Sequence, residues 1–166
     1  MERKDTRLYN VIFPIWMLAI IPVTWLVVLP ANFVIDLLVT RFGMKRAGLE
    51  DRKARAKKAI LKVWVCGFLA DAVGGAMMFL FSFLDILGDS WSDFYYRVCY
   101  DPFSSVSSFL WVAVCTAVSA LLIYALNNGF ALKKAIPEED ARRKVALILA
   151  VVTAPWLFFL PTAWFF

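Results

Sequence analysis

The chain has 166 residues, of which 62% are hydrophobic and only 19% are charged, and its mean hydropathy is +0.72. Soluble domains are about 45–50% apolar and about 25% charged, and so short a chain cannot bury this much apolar surface in one water-facing core. A soluble enzyme domain, a disordered tail and a disulfide-stapled secreted module are therefore excluded. The composition predicts a polytopic membrane protein.

Four apolar stretches, each at least 21 residues long, follow one another along the chain. A helix needs about 20 residues to cross the hydrocarbon core, and in lipid each backbone segment must satisfy its own hydrogen bonds. We therefore predict an all-α integral membrane protein, a single transmembrane domain over residues 1–166 with four transmembrane helices. The predicted spans are residues 11–31, 63–87, 106–126 and 145–166.

The first apolar stretch is the longest and contains three prolines, Pro14, Pro22 and Pro30. Proline is tolerated inside a membrane helix when neighbouring groups bond the carbonyl that it leaves free. The sequence therefore predicts one kinked span over residues 11–31, followed by an interfacial continuation over residues 32–41. A re-entrant hairpin that turns at Pro22 is the alternative.

Lysine and arginine are distributed unevenly among the connections. Residues 41–62 contain nine lysines and arginines, and residues 133–144 contain five. Residues 85–101 contain only one arginine but four aspartates. Because such cations stay on the cytoplasmic side, both basic loops are predicted to be cytoplasmic, and the loop 88–105 and both termini external. The expected location is the plasma membrane, or the inner membrane if the source is bacterial. Three cations near the N-terminus oppose this orientation, and the re-entrant alternative would remove the conflict.

The external loop is rich in tyrosine, tryptophan and phenylalanine. Aromatic rings of this kind settle at the level of the lipid head groups. We therefore predict a short interfacial helix over residues 90–99.

The basic loops are predicted to form amphipathic cytoplasmic extensions of the membrane helices. Residues 48–61 and residues 137–149 both pass from acidic through basic to apolar side chains. Two repeated helical hairpins would explain this similarity, but any cytoplasmic helix start has the same pattern, so both interpretations stay open. The anionic head groups of the bilayer are the predicted partner of this charge, and no nucleic acid is expected. The predicted lipid-surface cations are Arg52, Lys53, Arg55, Lys57 and Lys58.

Asp71 is the clearest functional candidate, because it lies eight residues into the second predicted span. A charge near the bilayer centre costs several kcal/mol, so an ionisable residue there points to function by default. Asp71 is expected either to bind a proton or a cation, or to be a packing residue bonded to a neighbouring helix. Asp36 is expected to be structural, either exposed to the head groups or paired with Arg41.

Small and polar residues on the face of Asp71 and on neighbouring spans complete the candidate set. Small residues let helices approach closely, and polar ones bond across helices. The set predicted to form an intramembrane polar pathway or a helix-packing face is Asp71, Gly67, Gly74, Ser82, Thr116, Ser119, Asn127, Asn32 and Asp36.

Catalytic and metal sites are not expected. The chain has no histidine, which is the commonest metal ligand and the commonest general base, and its three cysteines are widely separated. The pair Asp36 and Asp71 is the only candidate for intramembrane proteolysis, and no supporting motif accompanies it. We therefore predict no catalytic residue, no metal, no cofactor and no enzymatic activity.

Two functional hypotheses follow. The first is a small homo-oligomeric channel or transporter-like protein with a polar pathway around Asp71. The alternative is a non-catalytic accessory subunit of a larger membrane complex, docked through the face that carries Gly67 and Gly74. The expected protein partner is therefore either a second copy of the chain or a larger membrane protein.

Overall fold

The computed structural model describes residues 22–84 and 89–164, with the side chains of residues 26–80 and 93–164. These residues are mainly helical and contain no strand. The helices in the described part are α1 (Pro22–Arg46), α2 (Arg52–Leu84), α3 (Asp89–Tyr100), α4 (Val106–Leu126) and α5 (Glu139–Val152). The stretches Leu26–Arg46, Arg52–Leu80 and Val106–Ala131 are long and apolar enough to cross a membrane.

The helices α2, α3 and α4 follow the predictions. The bounds of α4 are the predicted ones, and the π-helical turn Asn127–Ala131 extends it. The helix α2 begins at Arg52, so the basic residues before the second span form the expected helical extension. The short helix α3 confirms the one predicted in the aromatic loop. Residues 85–87 of the second predicted span lie outside the described residues.

The helix α1 differs from the prediction for the first stretch. Residues 11–21 of the predicted kinked span lie outside the described residues, and the re-entrant alternative depends on the same part of the chain. In the described part, α1 continues without a break through Pro30 to Arg46. Residues 32–41, predicted to be interfacial, are therefore part of a helix of spanning length, because apolar side chains continue on both sides of Asn32 and Asp36.

The fourth apolar stretch is not one continuous helix, and this corrects the helix expected over residues 145–166. The helix α5 ends at Val152, and 3₁₀ turns follow at Trp156–Phe159 and Thr162–Trp164. Pro155 has no N–H to donate and disfavours a helical residue before it. The Val151 carbonyl, four residues before Pro155, instead accepts a hydrogen bond from the Trp156 indole Nε1 at 3.0 Å.

The four long elements pack as a ring in the order α1, α2, α4 and α5, with α5 returning to α1. At the α2–α4 contact the Ser119 hydroxyl donates to the Ala70 carbonyl at 3.1 Å. At the α1–α5 contact, a Cβ placed on Gly43 would lie 3.2 Å from the Val145 side chain. The helix α3 packs on α2 and α4, away from the α1–α2 connection.

The chain from Glu138 onward runs from one end of the helical bundle to the other. It starts at the end where α2 begins, and there Glu138 pairs with Arg55. Further on, the Phe158 ring lies beside Gly74 of α2. At its end, the Thr162 hydroxyl donates to the carbonyl of Cys99 in α3 at 3.1 Å. Residues 138–162 therefore join the two ends of the bundle, the first half as helix and the second half as 3₁₀ turns.

The Arg55–Glu138 pair connects α2 to the segment before α5 and supports a prediction about pH. Both guanidinium Nη atoms donate to the carboxylate, at 3.0 and 3.2 Å, and these bonds lower the pKa of Glu138 below its usual 4.5. A lowered pKa stabilises the fold above the unfolded-state pKa, and this contribution disappears as the pH falls through the folded-state pKa. We expect Glu138→Gln to lower the melting temperature in detergent at pH 7, and we expect this difference from the wild type to shrink as the pH falls below 4.5 and through the lowered pKa of Glu138.

Glu139→Gln is the matched control for this measurement, because Glu139 forms only an exposed pair with Arg143, one turn away. Exposed pairs of this kind contribute little to stability. A difference between Glu138→Gln and the wild type that persists at low pH would contradict the role given to this pair.

Candidate functional site

Asp36 lies at the contact between α1 and α2. The residue is only 7% exposed, and its Oδ2 atom would be 3.6 Å from a Cβ placed on Gly67 of α2. A distance of 3.6 Å is an ordinary van der Waals contact, so the Asp36 carboxyl group lies directly beside this turn of α2. No ion pair joins Asp36 to Arg41 in the described structure, so the expected snorkelling or pairing is not observed.

Asp71 lies one helical turn after Gly67 and close enough for the charge of Asp36 to act on it. Its Oδ1 atom is buried and has no hydrogen-bond partner. The residue as a whole is half-buried. The two aspartates, of which the sequence placed Asp36 in the interfacial continuation and Asp71 in the second span, are therefore near each other at the α1–α2 contact, with no cationic partner for either among the described residues.

Other buried polar atoms on the same helices also lack partners. The hydroxyl of Thr40, one turn after Asp36, makes no hydrogen bond. The indole Nε1 of Trp64, one turn before Gly67, makes none either. The Trp64 ring packs edge-on against Phe33 of α1, with a centroid distance of 6.1 Å. Donors without partners are thus built into both helices that hold the carboxyl groups.

The polar residues of α4 are used mainly for packing. Thr116 donates to the Val112 carbonyl at 2.9 Å within its own helix, and Ser119 donates across to α2. The amide nitrogen of Asn127 donates to the Ile123 carbonyl at 2.8 Å, but its buried Oδ1 has no partner. Asn127 is therefore the one residue among these three with a buried polar atom that makes no hydrogen bond.

Gly74 is a packing residue and not a free docking surface. A Cβ there would collide with the Ser119 hydroxyl and lie 3.0 Å from the Phe158 ring. The face of α2 around Gly74 is thus covered by other parts of the same chain. Asn32 is half-buried in α1, and the side chain of Ser82 lies outside the described residues.

No protein-family model, curated protein or solved structure matches the chain. The assignment of function therefore depends on the chemistry of the site. Within the described ranges, no group of three or more cysteine, aspartate or glutamate side chains could hold a metal ion.

The predicted lipid-surface cations divide into two kinds. Arg52, Lys53, Lys57 and Lys58 are exposed on the first turns of α2. Arg55 is turned inward, where it bonds Glu138 and also donates to the Ala135 carbonyl at 3.2 Å. Four of the five cations thus stay available to head groups.

Thr40 and Trp64 were missed in the sequence. Thr40 lies four residues after Asp36, so the helical period alone places it on the same face. Trp64 gave no such signal, because a tryptophan at the end of a span normally belongs to the aromatic belt. The sequence alone does not show that α1 and α2 pack against each other at Trp64.

Proposed function

We propose that the chain is a small integral membrane protein that binds and passes a proton or a small cation at the Asp36–Asp71 pair. The observation that carries this proposal is the meeting of two carboxyl groups at the α1–α2 contact, in helices long and apolar enough to cross a membrane. The described structure provides no lysine or arginine to neutralise either of them.

Physical chemistry connects this arrangement to ion binding. Two carboxylates in a medium of low dielectric constant repel each other strongly, and each also loses hydration on entering the membrane. A shared proton or a bound cation removes both costs. The unpaired hydroxyl of Thr40 and the free Oδ1 of Asp71 are suitable groups for contacting such an ion.

The proposed working form is a homo-oligomeric channel or transporter-like assembly. Asp71 is only half-buried in a single chain, and a carboxyl group at this depth is poorly accommodated by lipid. A second copy that covers the open side of Asp71 would complete the polar surroundings. Proteolysis is a poorer interpretation of the same pair, because Asp36 is too deeply buried for a peptide to reach.

We further propose four membrane crossings, with both basic loops in the cytoplasm and both termini external, in the plasma membrane or a bacterial inner membrane. The contacts of residues 138–162 with both ends of the bundle support a fourth crossing that is half helical. The distribution of lysine and arginine supports the orientation.

Flux through proteoliposomes tests the proposed function. The purified protein is reconstituted, and the uptake of protons, Na⁺ and K⁺ is followed with dyes under an imposed gradient. Asp71→Asn is expected to lower the flux of the transported ion by about tenfold or more, because a contact to a charged group contributes about 1.5–3 kcal/mol. Asp93→Asn is the control, since Asp93 is exposed on α3.

Absence of flux from the wild-type protein, or equal flux from Asp71→Asn, would reject the proposal. Native mass spectrometry of the protein extracted from its own membrane then separates the two working forms. An integer multiple of 18.9 kDa supports self-assembly, whereas a stoichiometric foreign chain indicates an accessory subunit. The covered position of Gly74 means that such a partner would dock elsewhere.

A further inference from the structure

A basic pocket lies at the end of the bundle where α1 ends and α2 begins. Its volume is about 300 Å³, at the lower end of the range for small-molecule sites. The start of α2 and the turn after α4 line it together. The lining residues are Asp51, Ala54, Arg55, Lys58, Lys134, Ala135 and Pro137.

The cations of this basic pocket differ in whether they have an ion-pair partner. Arg55 is neutralised by Glu138 and fixed by its bond to the Ala135 carbonyl. Lys58 and Lys134 approach from the two different segments, are exposed, and form no ion pair with any described residue. Asp51 is the one acid in the lining. Two ammonium groups without an ion-pair partner thus line the same cavity as the paired Arg55.

The depth of the basic pocket matches the lipid head groups. Lys58 precedes Val63, the first residue of the apolar stretch, by five residues, or about 7.5 Å along a helix. The head-group layer occupies about 5–8 Å on each side of the hydrocarbon core. A phosphate carried by a phospholipid would therefore reach Lys58 while its acyl chains stay beside the exposed apolar side chains of α2, such as Leu61.

We propose that the basic pocket binds the phosphate group of an anionic phospholipid, held between Lys58 and Lys134. Basic pockets between membrane helices are a recognised way of holding such head groups. The inference rests on the membrane placement of the chain and does not depend on ion movement through the Asp36–Asp71 pair. A free phosphate offers the same chemistry, so the experiment must distinguish the two sources.

Native mass spectrometry in a neutral detergent, with phosphatidylglycerol or phosphatidylcholine added, tests the proposal. The wild type is expected to retain one phosphatidylglycerol in preference to phosphatidylcholine. Lys58→Gln with Lys134→Gln is expected to weaken this binding by about 20–30-fold, the product of two cations near a charged surface. Lys53→Gln with Lys133→Gln is the matched control, because it removes the same charge from the same two segments outside the pocket.

Asp51→Asn provides a test in the opposite direction. Asp51 has a φ of 51°, a conformation that asparagine also adopts readily, so the substitution removes the repulsive charge without straining the turn. We expect tighter retention of phosphatidylglycerol. Equal losses in the two lysine pairs would overturn the proposal, since binding would then be diffuse. Competition by millimolar inorganic phosphate, or no preference for phosphatidylglycerol, would also overturn it as a lipid site.

Discussion

Replacing Gly74 with alanine is expected to lower the free energy of unfolding by about 1–3 kcal/mol, the usual cost of forcing an extra carbon into a packed interface. The added Cβ would collide with the Ser119 hydroxyl and lie 3.2 Å from the Cys115 carbonyl. Backbone atoms cannot rotate away, so α2 and α4 must separate. Ser119 would then lose its bond to the Ala70 carbonyl. Unfolding in a mixed-micelle SDS titration measures the change.

Gly75→Ala is the matched control, since the next residue of the same helix has no atom within 4 Å of its added Cβ. Alanine is a better helix former than glycine by about 0.5–1 kcal/mol, so this variant should equal or exceed the wild type in stability. The two neighbouring substitutions are thus expected to have opposite signs. Equal effects from both would contradict the close approach of α2 and α4 at Gly74.

The double substitution of Asp36→Asn and Asp71→Asn is expected to abolish ion flux and still to stabilise the fold. Residues kept for function are often costly to stability, and changes that relieve unfavourable charge commonly raise stability by about 0.5–2 kcal/mol. Here the repulsion between two carboxylates without a cationic partner would be removed. In a chain of this size each kcal/mol corresponds to about 2–4 °C. Thermal unfolding at pH 8, where carboxylates are most readily charged, measures the gain.

The two single variants complete a double-mutant cycle for this measurement. If the carboxyl groups repel, either single substitution relieves most of the repulsion, and the second adds little. The gain of the double variant should therefore be smaller than the sum of the single gains. A large loss of stability in any of the three variants would instead assign the aspartates a structural role.

Hydropathy alone predicted much of the fold. The apolar stretches of α2 and α4 are long and are flanked by charged residues, so both helices form where the sequence predicted them. The aromatic loop between them likewise contains its helix, α3. These features depend on local composition, which a single sequence displays directly. The parallel repeat of two hairpins stays a prediction. It would make α5 the counterpart of α2, but α5 has 14 residues and α2 has 33.

The remaining features depend on which helices face each other. Asp36 looked interfacial because residues 32–41 follow three prolines, yet α1 continues and turns this carboxyl toward Gly67. Gly74 looked like a docking surface because its face is small, and the structure shows that α4 and Phe158 already cover it. The sequence already placed Asp36 and Asp71 in one candidate polar set, but the contact that brings Asp36 near Asp71 depends on how α1 packs on α2.

If residues 138–162 form the proposed fourth crossing, the 3₁₀ turns after α5 have a consequence for the order in which the protein is assembled. Within a membrane, non-helical backbone is tolerated only where it is buried in protein or lines a water-filled cavity. In this segment Phe158 contacts α2 and Thr162 bonds to α3. Such a segment has no suitable surroundings in lipid before those helices are in place. In the proposed four-crossing topology, we therefore expect this segment to enter the membrane only after α2 and α3 are in place.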